Sequence, residues 1–519
     1  SAHAVSIPMH KPVVTEQNLP LGEDVGPLAQ GTARAALTAG TTQIVTRVLA
    51  VVLSIVTARA LEPLQVGLLG LAVILVGVVS MIGYYPEMAA VTASEVKGDA
   101  KYAAAAVGIR FALTAVLIAV VIFALPFFGG YLTGREDESA SLLELMRVLA
   151  LVPILELAGS YPRVLLQRSL DLNVVAAVGL LQPVVFVGLA VALLWGGYGY
   201  LGVAWANVVG STIATLFCWV ALWYRNRFRW EGWPTSHVWR ETVVGSARIF
   251  AGGFGGFLGE RLDNLLVSGA IGPSAMSYYS MAWNGSRTSA NVFGSAIGFV
   301  LIPTLSRIKH EPARVRRAIH ESLRHSYLLL APVCAVLFVS SPLLVTYVLG
   351  AKWLPLVPCL RMMCLTVLAI PLLHACNALL VAAGRAHLTG ISTSVHLVAL
   401  LVTIPLLSHR WYLVGAALGD LISVALLTVS LYVTTRVATR LIDRGILAPL
   451  AVPIIAAALA GALSWNIGAL VSPNPLRLAS EVGIAAIGYV LFIFVLGGRN
   501  RLFDLFGLLR AASQRTAVA

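Results

Sequence analysis

Charge is scarce in this chain. Only 11% of its 519 residues are Asp, Glu, Lys or Arg, where soluble domains average about 25%. With 58% hydrophobic residues and a mean hydropathy of +0.87, a soluble enzyme of this length is excluded. Cysteine is also scarce. Cys218, Cys334, Cys359, Cys364 and Cys376 all lie in apolar stretches, and none forms a CxxC pair. That spacing excludes a zinc ribbon, and the five read as small buried hydrophobes. No GxxxxGK[ST] occurs, so ATP hydrolysis through a phosphate-binding loop is excluded. Long polar segments are missing too. The larger connections, near 127–141, 224–241 and 304–319, are each too short to fold as a domain. An enzyme that displays its catalytic residues on a large loop or separate domain is therefore disfavoured, and no cofactor is expected.

What is present is long apolar runs. A membrane-crossing helix needs about 20 apolar residues, and fourteen such stretches can be read along the chain. The expectation is an all-α polytopic membrane protein. Two six-helix bundles, 35–235 and 236–440, are followed by two further spans in 441–498. A polar tail at 1–34, without a short apolar core and cleavage site, and an amphipathic segment at 499–519 flank them. Basic residues set the orientation. Clusters such as Arg225, Arg227 and Arg229, or Arg314, Arg316 and Arg317, fall on the side of both termini, which is therefore expected to be cytoplasmic. The other side holds scattered cations such as Arg59, Lys352 and Arg410. This asymmetry accounts for the net charge of +13 without a nucleic-acid partner, though basic loops can touch anionic lipids.

A weak repeat supports the two bundles. ALEPLQVGLLGLAVI at 60–74 and GAIGPSAMSYYSMAW at 269–283 each place a proline, Pro63 or Pro273, where an odd span turns into an even one. An even number of spans per repeat gives parallel repeats about an axis along the membrane normal.

Ionisable residues inside spans cost about 2.5–3.5 kcal/mol each at a helix centre on insertion scales, and they tend to mark function. Arg47 lies about eleven residues into the span at 36–61, near Gln43, at a depth of roughly 17 Å. Arg287 lies at similar depth in the span at 274–303. Two guanidiniums facing a shared cavity would suit an anionic substrate; salt bridges to Glu156 or Glu260 are the structural alternative. The stretch GGFGGFLGERLDNLL carries Glu260 and Asp263 on one helical face, with Arg261 turned about 100° away. With Glu156 and Asp420 these residues are candidates for a coupling ion, H⁺ or Na⁺, or for ion-paired struts. Tyr278, Tyr279 and Trp283 could stack on sugar rings beside Arg287. Arg110, Arg147, Arg248, Arg361 and Glu87 are expected near span ends, snorkelling to the interface. His374 and His396 are expected to be packing residues.

ARALEPLQVGLLGLA (58–72), DNLLVSGAIGPSAMSYYSMA (263–282), FVLIPTLSRI (299–308) and LGAKWLPLVPCLRMM (349–363) resemble the polysaccharide transporters of the Wzx type. These share a superfamily with the multidrug/toxic-compound extruders and the lipid II flippase. The resemblance implies a V-shaped pair of bundles alternating between inward and outward openings. It implies transport of an undecaprenyl-pyrophosphate-linked oligosaccharide for exopolysaccharide, capsule or O-antigen, at a bacterial inner membrane. It also implies that Arg47 and Arg287 hold the pyrophosphate, and that a polymerase and a chain-length regulator are partners. A cation-coupled extruder of small molecules is the alternative within the same superfamily.

Overall fold

A computed structural model describes residues 42, 45–93, 99–119, 136–169, 172–225, 228, 230–308, 310–441, 445, 448–468 and 475–518. The side chains of 99, 117, 136, 137, 172, 173, 252, 254, 256–258, Glu260, 288–300, 303, 449, 475 and 498–518 lie outside that description. Among the described residues the chain is helical, with no strand. Helix α1 covers 45–60. It is followed by α2 (Pro63–Thr92), α3 (Asp99–Ala119), α4 (Glu136–Leu149), α5 (Leu151–Arg168), α6 (Leu172–Trp195) and α7 (Gly199–Tyr224). Then come α8 (Ser236–Ile271), α9 (Pro273–Ile308), α10 (Pro312–Leu344), α11 (Val357–Val367) and α12 (Ile370–Ala382). The last three are α13 (Thr389–Thr439), α14 (Ala448–Gly468) and α15 (Pro475–Val518).

Among the described residues, eight helical segments are long and apolar enough to cross a membrane by length and composition. One of them, Ala386–Thr439, contains two of the expected spans, because Trp411 and Tyr412 leave helical geometry (φ/ψ −126/17° and 52/−130°). The chain reverses there so tightly that a Cβ on Gly415 would lie 2.0 Å from the Leu407 carbonyl oxygen. The expected spans outside those eight segments fall on α1, α3, α4–α5, α8 and α9. Helices α8 and α9, each 36 residues, are about 54 Å long, and Gly, Ser and charged residues dilute their hydropathy. Helix α15 continues unbroken to Val518, through the segment expected to be a separate amphipathic helix.

Helices α2 to α7 pack mainly on one another, as do α8 to α13, while α14 and α15 pair and lie against α10. The two groups meet where α2 runs along α8 and α9. Pro63 and Pro273 each occupy the first turn of their helix, where a missing N–H costs nothing. The two starts touch: a Cβ on Gly67 would lie 2.0 Å from the Pro273 carbonyl oxygen, so only glycine permits this approach.

One buried ionic network ties α2, α3 and α5 together, and it corrects the expectation of snorkelling. Glu87 and Arg110 are 0% and 1% exposed. The Arg110 guanidinium pairs with Glu87 and, at 2.5 Å, with Glu156. Arg163 pairs with Glu87 at 3.3 Å, and the Ser160 hydroxyl donates to Glu87 at 2.6 Å. Glu156 is therefore an ion-pair partner of Arg110 and does not bridge to Arg47. Two carboxylates and two guanidiniums balance, which is what makes such burial tolerable. Removing Glu87 leaves two guanidiniums, Arg110 and Arg163, facing the single carboxylate of Glu156. Glu87→Ala is expected to cost about 3–5 kcal/mol, read as a lowered melting temperature in detergent. The double variant Glu87→Ala/Arg110→Met should recover part of the loss. A Glu87→Ala protein that melts like the parent would show that the network is not structural.

Candidate functional site

A cavity of about 560 Å³ opens between α1, α9, α10 and the turn that follows α10. Arg47 and Arg287 both line it, so the two arginines expected to meet do share one cavity. Most of the remaining wall is apolar, relieved by Ser54 and Asn284. The Arg287 guanidinium carbon sits 4.7 Å from the centre of the Trp283 ring, a cation–π contact that fixes its direction. Among the described residues, no carboxylate lies within ion-pairing distance of either arginine. Two guanidiniums held in an apolar wall offer forked donors to a phosphate group. The α1 flank carries exposed Val48, Val51 and Val52, so the cavity lies beside surface suited to lipid.

The other expected cavity residues divide. Trp283 lines the cavity; Tyr278 and Tyr279 do not. Tyr278 packs edge-on against Trp353 and donates to the Lys352 carbonyl at 3.3 Å. Tyr279 is fully buried and donates to Asp263 Oδ2 at 3.1 Å. The two corrections have different causes. Tyr278 lies about 140–180° round α9 from Trp283 and Arg287, whereas Tyr279, four residues before Trp283, shares their side but sits one turn nearer the helix start, where it meets Asp263 of α8. Gln43 lies outside the described residues. Arg261 is exposed.

A second polar site is buried behind α9. Asp263 on α8 and Asp420 on α13 are each 2% exposed. Asp263 Oδ1 accepts from the Asn264 backbone N–H (2.8 Å) and side-chain amide (3.0 Å). Asp420 Oδ2, Asn264 Oδ1 and His396 Nδ1 are buried with no hydrogen-bond partner among the described residues. The two aspartates are close enough to interact electrostatically, and Arg287 acts on both. With both carboxylates ionised, the cluster carries one negative charge more than Arg287 neutralises. A proton or a monovalent cation would complete the balance. The sequence marked His396 as a packing residue and did not single out Asn264, since a lone polar residue on an apolar helix looks the same whether it packs or binds.

The GAKWLP stretch fastens the end of α1. After α10 the chain makes a π-helical turn (Val345–Leu349), passes Gly350 at φ +109°, and enters a 3₁₀ turn (Ala351–Leu356). The last carbonyls of any helix lack intrahelical partners. Here Trp353, fully buried, donates its indole N–H to Ala58 O at 2.8 Å. Lys352 Nζ donates to Leu61 O (2.8 Å) and Arg59 O (3.2 Å). In return Arg59 donates to the carbonyls of Val348 (2.8 Å) and Tyr347. A cation at a helix C-terminus also suits the helix dipole.

The sequence of residues 56–358 matches the family described as polysaccharide biosynthesis protein. The chain belongs to that family. Among curated members of related sequence, the teichuronic acid biosynthesis protein TuaB of Bacillus subtilis (strain 168) is 23% identical over 287 residues, 53% of this chain and 56% of TuaB. An uncharacterized membrane protein in the cps region of Klebsiella pneumoniae is 26% identical over 173 residues, covering 33% of this chain and 35% of that protein. These matches span about half and about a third of the relatives' own lengths. In fold, this family member is similar to the lipid II flippase MurJ in an inward closed conformation. The TM-score is 0.71 at 12% identity, over 88% of this chain and 98% of that one. It is also similar to an inward-facing multidrug resistance MATE family transporter of the MOP superfamily, with a TM-score of 0.60 at 15% identity, over 76% and 95%. At such identities these likenesses establish the fold alone, and that fold agrees with the superfamily read from the sequence motifs.

The fastening at α1 generates a prediction. Lys352→Ala with Trp353→Phe removes the donors to Ala58, Arg59 and Leu61, worth roughly 2 kcal/mol together. A cysteine at Ser54, on the cavity wall, should then react about thirtyfold faster with a membrane-impermeant maleimide. Equal rates in the parent and the variant would show that these bonds do not control access to the cavity wall.

Proposed function

We propose that this protein is a flippase. It moves an undecaprenyl-pyrophosphate-linked oligosaccharide from the cytoplasmic to the periplasmic leaflet of a bacterial inner membrane, for assembly of an exopolysaccharide, capsule or O-antigen. The observation that carries the reading is the pair of arginines, Arg47 and Arg287, without carboxylate partners among the described residues, on the wall of one apolar cavity. Their forked donors would hold the pyrophosphate, Trp283 would offer a sugar a stacking face, and the lipid tail would remain in the bilayer beside α1. The family match to polysaccharide biosynthesis proteins and the MurJ-like fold support the same reading.

In this reading, units 35–235 and 236–440 rock against each other with both termini cytoplasmic, exposing the cavity to each side in turn. A polymerase and a chain-length regulator would receive the product. The buried aspartates supply the coupling. Arg287 lies within electrostatic reach of Asp263 and Asp420. H⁺ or Na⁺ at the aspartates would free Arg287 for the pyrophosphate, and loss of the ion would draw it back.

That aspartate pair also favours a second reading, a cation-coupled extruder of small molecules. The cavity weighs against organic cations as cargo, because its lining residues include two guanidiniums and no carboxylate.

Flipping in proteoliposomes separates these readings. Fluorescent undecaprenyl-pyrophosphate oligosaccharide should lose accessibility to an impermeant quencher with the parent protein. Arg47→Ala or Arg287→Ala should slow this by at least about a hundredfold, the scale of losing a charge-assisted bidentate contact. Parent-like flipping in both variants would refute the clamp. Absence of flipping by folded parent protein under an imposed ion gradient, together with efflux of a small amphipathic cation, would favour the extruder.

A further inference from the structure

A second cavity lies on the far side of α10 and α11. These helices lend Val333, Leu337 and Leu360 to the arginine cavity. With α14 they also enclose a separate apolar groove of about 540 Å³. Small residues make the groove concave: Ala335 on α10, and Ala458, Gly461 and Ala462 on α14. Its rim includes Phe338, Leu365 and Trp465, which are 39%, 49% and 48% exposed, so it faces the surroundings of the protein. Along α14 it runs from Asn466 to Ile454. At 1.5 Å per residue that is about 18 Å, close to the roughly 15 Å of hydrocarbon in one leaflet.

One end of the groove is charged. Arg361 lines it between two rings, with its guanidinium carbon 5.0 Å from the Trp465 centroid and 5.6 Å from that of Phe338. Its Nε donates to Phe338 O and Ser341 Oγ, both at 3.1 Å. These contacts orient the guanidinium without neutralising it. Among the described residues no carboxylate lies within ion-pairing distance of Arg361, and its Nη2 has no hydrogen-bond partner. Arg361 stands on the second turn of α11 and Trp465 on the last turn of α14, so charge and aromatic ring sit together at one end of the groove, which runs away from them along α14. The expectation that Arg361 merely snorkels leaves the groove unexplained.

We propose that the groove is a binding site for an anionic phospholipid, with its phosphate against Arg361 and one acyl chain laid along α14. The charge complements a phosphate diester, the length matches one leaflet, and the exposed apolar rim lets a lipid enter from the side. The bound lipid would be resident. It would wedge α14 against α10 and α11 and remain apart from whatever passes through the arginine cavity.

Native mass spectrometry of the full-length protein tests this, with phosphatidylglycerol and a diacylglycerol of the same chains added in turn. Phosphatidylglycerol should remain bound and diacylglycerol should not. Arg361→Ala should reduce retention about tenfold, the scale of one lost charge-assisted contact, and Arg361→Lys by less. Ala458→Phe, at an exposed position that fills the groove away from the charge, should reduce it similarly without lowering the melting temperature. Equal retention of the two lipids, or parent-like retention by both Arg361→Ala and Ala458→Phe, would overturn the proposal. If Arg47→Ala or Arg287→Ala also lost the lipid, the groove would belong to the transport path and the resident-lipid assignment would fail. The readout is binding, so it stands whether or not the flippase reading holds.

Discussion

A charge inside hydrocarbon has to be answered by another charge, by backbone dipoles or by a ligand, because no water is at hand to solvate it. That constraint sorts the ionisable side chains of this protein. Glu87, Arg110, Glu156 and Arg163 answer one another in a balanced network. Arg477 and Glu481 pair at 3.0 Å on α15. Arg59 and Lys352 spend their donors on backbone carbonyls where two parts of the chain meet. Arg47 and Arg287 remain on a cavity wall, and Asp263 and Asp420 remain sealed behind it. The functional reading rests on this remainder.

Helix α9 connects the parts. Within three turns it sends Tyr278 to the Lys352–Trp353 fastening, Tyr279 to Asp263, and Trp283 with Arg287 to the cavity. A small rotation or shift of α9 would therefore be felt in all three places. This is a physical basis for coupling between the buried aspartates, the cavity and the Lys352–Trp353 fastening. Gly67 lets α2 lie directly on the start of α9, so movement between the two helix groups would also pass through it.

Much of this was legible in the sequence because membranes impose simple rules. Scarcity of charge announced the class. Arg47 and Arg287 stood out by their depth within apolar spans. What could not be read was direction. Helices that are apolar all round carry no amphipathic signal, so nothing showed which side and which turn of α9 would meet the cavity. The Glu87 network was hidden for another reason. Its partners are 23, 73 and 76 residues from Glu87 in sequence, and sequence depth alone suggested helix ends. Asn264 gave no local sign of its bonds to Asp263.

The central claim is that two guanidiniums recognise a pyrophosphate. Its most direct test is calorimetric titration of the detergent-solubilised protein with short-chain polyprenyl pyrophosphate and with the matching monophosphate. The account predicts that the pyrophosphate binds at least about tenfold tighter, and that Arg47→Ala and Arg287→Ala each erase the difference. A preference that survives in both variants, or no preference in the parent protein, would contradict it.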